Sequence, residues 1–169
     1  MPAALDPICL FTVLRDHDVD FVLIGGLAAV LHGSTAMTND ADIVPRKELE
    51  NLNRLGQALV DLEARIRSID DPQGIAFEPH PALLNSVAML NMTTRCGDLD
   101  MTFAPAGLDD YDDLDAASVL FDLGTTSVKV AALADIIHSK STADRPKDRA
   151  VLPILYALQD EISRMHDRE

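Results

Sequence analysis

The chain has 169 residues and a mass of 18.3 kDa, a size that suits one domain with a substantial core. It carries 28 acidic against 14 basic residues, for a formal net charge of −14. Affinity for nucleic acid comes largely from lysine and arginine side chains that neutralise phosphates, so this balance argues against a generic DNA-binding protein. Aromatic residues make up only 4 % of the chain, and we therefore expect an aliphatic core.

The sequence shows no signal for secretion or for a membrane. No basic stretch followed by an apolar one opens the chain, and the longest apolar run, residues 21–31, contains two glycines and is too short to span a bilayer. Cys9 and Cys96 have neither metal-binding nor redox spacing, so we expect buried, reduced thiols and no disulfide. These features predict a cytoplasmic protein.

The first part of the chain alternates helix and strand signals. Capping residues, apolar runs and glycine stops predict four elements. They are a helix from Pro7 to about Asp18, a buried strand over 21–24, a short helix over 27–31 and a second strand over 40–44.

Residues 47–66 carry the clearest periodicity, because leucines recur every three or four positions with charges between them. This spacing predicts an amphipathic helix, with Arg65 and Arg67 at its C-terminal end, where they suit the helix dipole. Residues 67–80 are predicted to form a loop.

The second half of the chain predicts three more strands and two more helices. The strands cover 89–94, 99–103 and 128–131, the first two joined by a hairpin turn over 95–98; one helix covers 133–139, and the other begins at Pro146 and kinks or restarts at Pro153. Alternating strands and helices predict a single domain, residues 1–169, of the α/β (α+β) class, with a small mixed sheet flanked by helices.

The pattern Asp40-Ala41-Asp42 on the second predicted strand carries the most chemistry. Alternate side chains of a strand lie on the same face, so the two carboxylates stand about 7 Å apart along it. Mg²⁺ prefers one or two carboxylates together with water and substrate phosphates. A pair of such ions stabilises the attacking and the leaving oxygen of a phosphoryl displacement.

Gly25 and Gly26 lie between a buried strand and the start of a helix. Glycine lets backbone amides approach a phosphate closely, and a helix N-terminus favours anions. Either pattern alone is weak evidence, but a Gly-Gly turn followed about fifteen residues later by Asp-x-Asp indicates a nucleotide site.

In this order the motifs resemble polymerase-beta-like nucleotidyltransferases, and more closely the minimal ones that include abortive-infection-type toxins of bacterial toxin–antitoxin pairs. The resemblance covers roughly residues 20–155 in three blocks. They are Ile24-Gly25-Gly26-Leu27-Ala28 with His32-Gly33 and Thr38-x-Asp40-x-Asp42, then Gly97-Asp98-Leu99-Asp100, then Lys140 with Arg145-Pro146-Lys147-Asp148.

This resemblance implies a nucleotidyltransferase-like fold and transfer of a nucleoside monophosphate from an NTP to an acceptor hydroxyl. The acceptor would be a tRNA end, a protein or a small molecule, and an antitoxin protein is an implied partner. Mg²⁺ or Mn²⁺ would be held by the catalytic carboxylates Asp40, Asp42 and Asp100. The nucleotide and its phosphates would be bound by Gly25, Gly26, Thr38, Lys140, Arg145 and Lys147.

The balance of charge supports a phosphate-binding role for Lys140, Arg145 and Lys147. A triphosphate carries about four negative charges, and three aspartates in one pocket leave a deficit that fixed cations should correct. Lys140, Arg145, Lys147 and Arg149 place four of the 14 basic residues within ten positions. A surface cluster at a helix start is the alternative.

Some alternatives stay open. Asp98 competes with Asp100 as the third carboxylate, although Asp100 lies further into the predicted strand and Asp98 in the turn. His32 fits either a nucleotide contact or a structural hydrogen bond. Ala36 stands where such proteins often carry an arginine, which favours a rival function: a catalytically weakened member that acts as a binding module.

Overall fold

A seven-stranded mixed sheet forms the centre of the molecule, in a computed structural model that describes residues 2–108 and 110–169. The strands are β1 (Phe21–Ile24), β2 (Asp40–Pro45), β3 (Arg65–Ile66), β4 (Met89–Thr94), β5 (Gly97–Thr102), β6 (Val119–Asp122) and β7 (Ser127–Val130). Their order is β3-β4-β5-β2-β1-β7-β6. β1 pairs with β7 and β2 with β5 in parallel, and the other neighbours are antiparallel.

Seven helices flank this sheet in the described residues. They are α1 (Pro7–Asp16), α2 (Gly25–His32), α3 (Leu49–Asp61), α4 (Pro81–Ser86), α5 (Tyr111–Ala117), α6 (Leu133–Ala143) and α7 (Pro146–His166). The predicted caps are present: the Asp6 carboxylate accepts the backbone N–H of Cys9 at 3.0 Å, and Gly33 ends α2 in the left-handed region with φ 115°.

The core is aliphatic, as expected. All four residues of β1 are buried, and α3 turns Leu52, Leu55 and Leu59 inward. The mixed sheet with flanking helices confirms the predicted fold class. In the described part of the chain, no helix has both the length and the apolar character needed to cross a bilayer.

The predicted helix over 47–66 is too long at both ends. α3 ends at Asp61, because Glu63 adopts the left-handed region with φ 54° and turns the chain back. Arg65 and Ile66 then form the edge strand β3 against β4. Placing Arg65 and Arg67 at a helix C-terminus was therefore wrong.

Short elements explain most of the other differences. β3, α4 and β6 are two to six residues long and too short to show a period, and none of them was predicted. Asp98 lies inside β5 and not in the hairpin turn. Pro153 neither breaks nor restarts α7, which is one helix of 21 residues.

The expectation of two reduced thiols was also wrong, since Cys9 and Cys96 form a disulfide. Their Cα atoms lie 5.7 Å apart although 87 positions separate them. The backbone N–H of Asp6 donates to the carbonyl of Cys96 at 2.9 Å and so fixes the start of α1 against the β4–β5 turn. A pairing created by tertiary contact leaves no spacing signal in the sequence.

Candidate active site

The turn between β1 and α2 is built against β2. Gly25 has a φ of 73°, a conformation that favours glycine, and a Cβ atom at this position would lie 2.9 Å from Cγ of Asp42. A Cβ atom on Gly26 would lie 3.0 Å from Oγ1 of Thr38. The two glycines therefore let the start of α2 approach Asp42 of β2 and Thr38, which precedes β2, more closely than any side chain would allow.

The strand register brings the acidic residues together. β2 and β5 run in parallel, with Asp42 opposite Asp100 and Asp40 opposite Asp98. Paired residues in neighbouring strands project to the same face of a sheet, so all four carboxylates share one face. The hydroxyl of Thr38 also reaches Asp40, donating at 3.2 Å to its carbonyl and lying 3.3 Å from Oδ1.

These elements border a cavity of about 810 Å³, which lies in the size range of small-molecule sites. Every site residue predicted from the sequence lies on its wall: Gly25, Gly26, Thr38, Asp40, Asp42, Asp100, Lys140, Arg145 and Lys147. Asp98, the competing third carboxylate, is not among the described residues that line it. Asp100 is thus the better placed of the two to meet a ligand.

Burial and mutual repulsion perturb the carboxylates. Burial, followed by the negative charges of Asp40 and Asp100, raises the pKa of Asp42 to about 7, although Lys140 and Lys147 oppose the shift. Burial likewise raises the pKa of Asp100 to about 6, against the opposing effect of Arg67. Burial and the mutual repulsion of the carboxylates therefore both disfavour the ionised form of Asp42 and Asp100.

The cations come from the junction of α6 and α7, far along the chain. Asp148 is fully buried and accepts Arg145 Nε at 2.7 Å, while Nζ of Lys140 lies 3.5 Å away. Lys147 forms no ion pair within the described residues. Arg149 pairs with Asp144 at 2.6 Å and is not among the described cavity residues.

Sequence reasoning missed Arg67 as part of this site. Its guanidinium binds Asp98 Oδ2 at 2.9 Å and also contacts Asp100 Oδ1. The misplaced helix end hid this contact, because the pairing of β3 with β4 is what brings Arg67 to the carboxylates. No local pattern around residue 67 points to it.

The structure also shows the surroundings of His32 and Ala36. His32 donates from Nε2 to the carbonyl of Ala131 at 2.8 Å and packs edge-on against Phe121, which is the structural alternative. Ala36 lines the cavity, so the wall presents a methyl group where an arginine was expected from the resemblance.

The donor set fits a hard divalent cation. Asp40, Asp42 and Asp100 offer carboxylate oxygens on one cavity wall, and oxygen donors of this kind are the ligands that hard divalent cations prefer. Within residues 2–108 and 110–169, no three His, Cys, Asp or Glu side chains form a ready-made metal cage. An incomplete set suits Mg²⁺, which usually keeps water and substrate phosphates in its coordination shell.

No protein-family profile matches the chain, and no curated protein matches it in sequence. Solved structures do match. The lincosamide antibiotic adenylyltransferase LnuA, with lincomycin bound, superposes with a TM-score of 0.59 at 15 % identity, over 92 % of this chain and 99 % of that one.

Two other structures agree with it. The antibiotic-resistance factor ANT(2'')-Ia matches with a TM-score of 0.53 at 12 % identity, over 94 % of this chain and 90 % of that one. An antigenic nucleotidyltransferase-like protein from Paracoccidioides brasiliensis matches with a TM-score of 0.54 at 16 % identity, over 99 % and 91 %. The chain therefore has a nucleotidyltransferase-like fold, as the motifs implied.

Proposed function

We propose that this protein is a metal-dependent nucleotidyltransferase that moves a nucleoside monophosphate from an NTP to an acceptor hydroxyl. The observation that carries the proposal is the composition of one cavity. Three carboxylates from two neighbouring strands and three cations from the α6–α7 junction line it, beside a glycine turn that leads into a helix. Phosphoryl transfer needs this combination of charges.

In this proposal each residue has one task. The backbone amides around Gly25 and Gly26 receive phosphate oxygens, while Lys140, Arg145 and Lys147 meet the remaining negative charge of the triphosphate. Mg²⁺ or Mn²⁺, held by the aspartates, would supply positive charge that stabilises the phosphates during transfer.

The transfer exchanges one oxygen bond to the α-phosphorus for another. The acceptor oxygen forms a bond to the α-phosphorus, and the bond to pyrophosphate breaks with its electron pair leaving on the pyrophosphate. The hydroxyl proton passes to solvent water, because Asp40, Asp42 and Asp100, the carboxylates that line the cavity, are committed to the cation in this proposal.

A small hydroxylated molecule is the acceptor that we favour over tRNA. Ten of the fourteen basic side chains are already within ion-pair distance of a carboxylate in the described residues, and the net charge is −14. Few free cations remain to follow a nucleic-acid backbone. The antibiotic adenylyltransferase LnuA and the antibiotic-resistance factor ANT(2'')-Ia share this fold, and one structure of ANT(2'')-Ia contains adenylyl-2''-tobramycin.

The test is direct. Purified protein is titrated with each NTP in Mg²⁺ and in EDTA, and Asp42→Asn is the matched variant. We expect NTP affinity to fall sharply in EDTA and in the variant, and equal affinity without divalent ions would overturn the metal-dependent mechanism. Labelled NTP is then offered with lincosamides, aminoglycosides or total tRNA, and label on tRNA alone would overturn the small-molecule acceptor.

The toxin–antitoxin role implied by the motifs stays a prediction. None of the structures named above is described as a toxin. Expression of the chain in a bacterial host, compared with the Asp42→Asn variant, measures toxicity and its dependence on the site.

A further inference from the structure

Arg67 follows the edge strand β3 and reaches over β4 toward the acidic residues of β5. Its backbone N–H donates to the carbonyl of Asn91 at 2.9 Å, which extends the β3–β4 pairing by one residue. From there the guanidinium contacts both Asp98 and Asp100. One arginine thus bridges two neighbouring carboxylates of β5.

The register explains how this contact arises. Arg65 lies opposite Thr93 on β4, and Thr93 lies opposite Asp98 on β5. Asn91 in turn lies opposite Asp100. Because side chains of a strand alternate, Arg67 projects to the same face as Arg65 and lies in the row that leads through Asn91 to Asp100.

Arg67 is the one cation within ion-pair distance of Asp98 or Asp100 in residues 2–108 and 110–169. It leaves one oxygen of each carboxylate uncommitted. Oδ1 of Asp98 is buried without a hydrogen-bond partner, and Oδ2 of Asp100 has no partner among the described residues. Since Asp100 lines the cavity, its uncommitted oxygen is available to a ligand there.

We propose that Arg67 is a positioning residue that holds Asp100 by one oxygen so that the other serves a divalent cation in the cavity. The proposal rests on the proposed metal-dependent function. Side chains that fix a metal ligand through a hydrogen bond typically change metal affinity or activity by about 10–100-fold when they are removed. A guanidinium suits this task because its planar fork binds two carboxylates at once, which an ammonium group cannot do with the same geometry.

The experiment measures Mn²⁺ binding to the full chain by calorimetry, without nucleotide, for the wild type, Arg67→Gln, Arg67→Lys and Arg65→Gln. Arg65→Gln is the matched control: it removes the same charge from the same strand face, but Arg65 binds the carbonyls of Gln73 and Gly74 and no carboxylate. We expect the Mn²⁺ Kd to rise about 10–100-fold in Arg67→Gln, less in Arg67→Lys, and to stay unchanged in Arg65→Gln.

A second readout separates positioning from general structural damage. With the NTP that the wild type binds, Arg67→Gln should need about 10–100-fold more Mg²⁺ for half-maximal nucleotide binding, and its thermal midpoint should match that of Arg65→Gln. If the wild type binds Mn²⁺ and Arg67→Gln binds it equally or more tightly, the positioning role is overturned. Tighter binding would mean that Arg67 competes with the metal. A wild type that neither binds Mn²⁺ nor needs Mg²⁺ to bind NTP overturns the metal-dependent function itself, and the role of Arg67 with it.

Discussion

Gly25 and Asp42 are packed against each other so closely that no side chain fits between them. A Cβ atom on Gly25 would approach Cγ of Asp42 to 2.9 Å and its Oδ2 more closely still. The turn that is proposed to receive phosphate and the carboxylate that is proposed to hold metal are therefore in direct contact across β1 and β2.

This contact predicts a strong effect of Gly25→Ala. The variant places a methyl group against the Asp42 carboxylate and forces alanine into a left-handed conformation, which costs about 1–2 kcal/mol. We expect lower stability, together with loss of measurable NTP binding in calorimetry.

Gly124→Ala is the control for the backbone cost alone. Gly124 has a φ of 92°, but a Cβ atom there meets nothing within 4 Å. It should lose about 1–2 kcal/mol of stability and keep full NTP affinity. If Gly25→Ala binds NTP as well as this control does, the glycine turn does not receive the phosphates.

The second prediction concerns Asp42→Asn in the metal-free protein. Burial and two neighbouring carboxylates raise the pKa of Asp42 to about 7, so its ionised form destabilises the fold at neutral pH. The variant removes this charge and should be about 2–3 kcal/mol more stable in EDTA at pH 8, although it loses activity. Urea denaturation measures the difference.

The direction in which stability changes with pH follows from the pKa of Asp42 in the folded and in the unfolded chain. In the unfolded chain an aspartate has a pKa near 3.9, so between about pH 4 and pH 7 the folded wild type binds a proton that the unfolded chain has released. Wild-type stability therefore falls as the pH rises through this window, and the advantage of the variant should vanish near pH 4. Asp70→Asn, in an exposed loop, should show no such advantage, and an equal gain in both variants would contradict the assignment.

The sequence predicted the parts of the fold that carry strong local signals. The capped helix after Asp6, the buried run of β1 and the amphipathic α3 have periods or caps that can be seen within a dozen residues. The two-residue strand β3 has no such signal, since its backbone bonds depend on β4, about twenty-five positions further along the chain.

The site residues also divide into those with a signal in the sequence and those without one. Asp40, Asp42 and the glycine turn form a local motif, and Asp100 follows from resemblance to a family with the same order of blocks. Arg67 could not be predicted, because its contacts depend on where α3 ends and on how β3 pairs. The disulfide was missed for a similar reason, since its partners meet only in the folded chain.

The third prediction follows from that disulfide. Cys9 and Cys96 close a loop across 87 positions, and the loop-closure entropy removed from the unfolded chain is worth about 4–5 kcal/mol in the simplest treatment. Reduction should lower the free energy of unfolding by about 2–5 kcal/mol, measured as a shift of the urea midpoint with dithiothreitol.

The double variant Cys9→Ala/Cys96→Ala is its control, because it should behave like the reduced wild type with or without dithiothreitol. Thiol titration of the unfolded, unreduced wild type should find no free cysteine. Two titratable thiols per chain would show that the bond does not form in solution.

The last prediction separates the three cations of the α6–α7 junction. Lys140 and Arg145 are both engaged with the buried Asp148, whereas Lys147 lines the cavity without an ion pair in the described residues. Lys147→Ala should therefore raise the KM for NTP about tenfold at unchanged thermal stability, the effect of losing one charged hydrogen bond to phosphate.

Arg145→Ala should behave differently, because it also removes the 2.7 Å partner of a carboxylate that has no access to water. We expect it to weaken NTP binding and to lose about 1–2 kcal/mol of stability as well, a modest figure because the arginine itself is 57 % exposed.

Arg149→Ala is the matched control on the same helix, since its partner is Asp144 and it lies off the cavity wall. Its KM for NTP should equal that of the wild type. If Lys147→Ala and Arg149→Ala raise the KM equally, the cations act through the overall charge of the protein and not through contact with the triphosphate. A tenfold rise confined to Lys147→Ala instead assigns that lysine to the nucleotide.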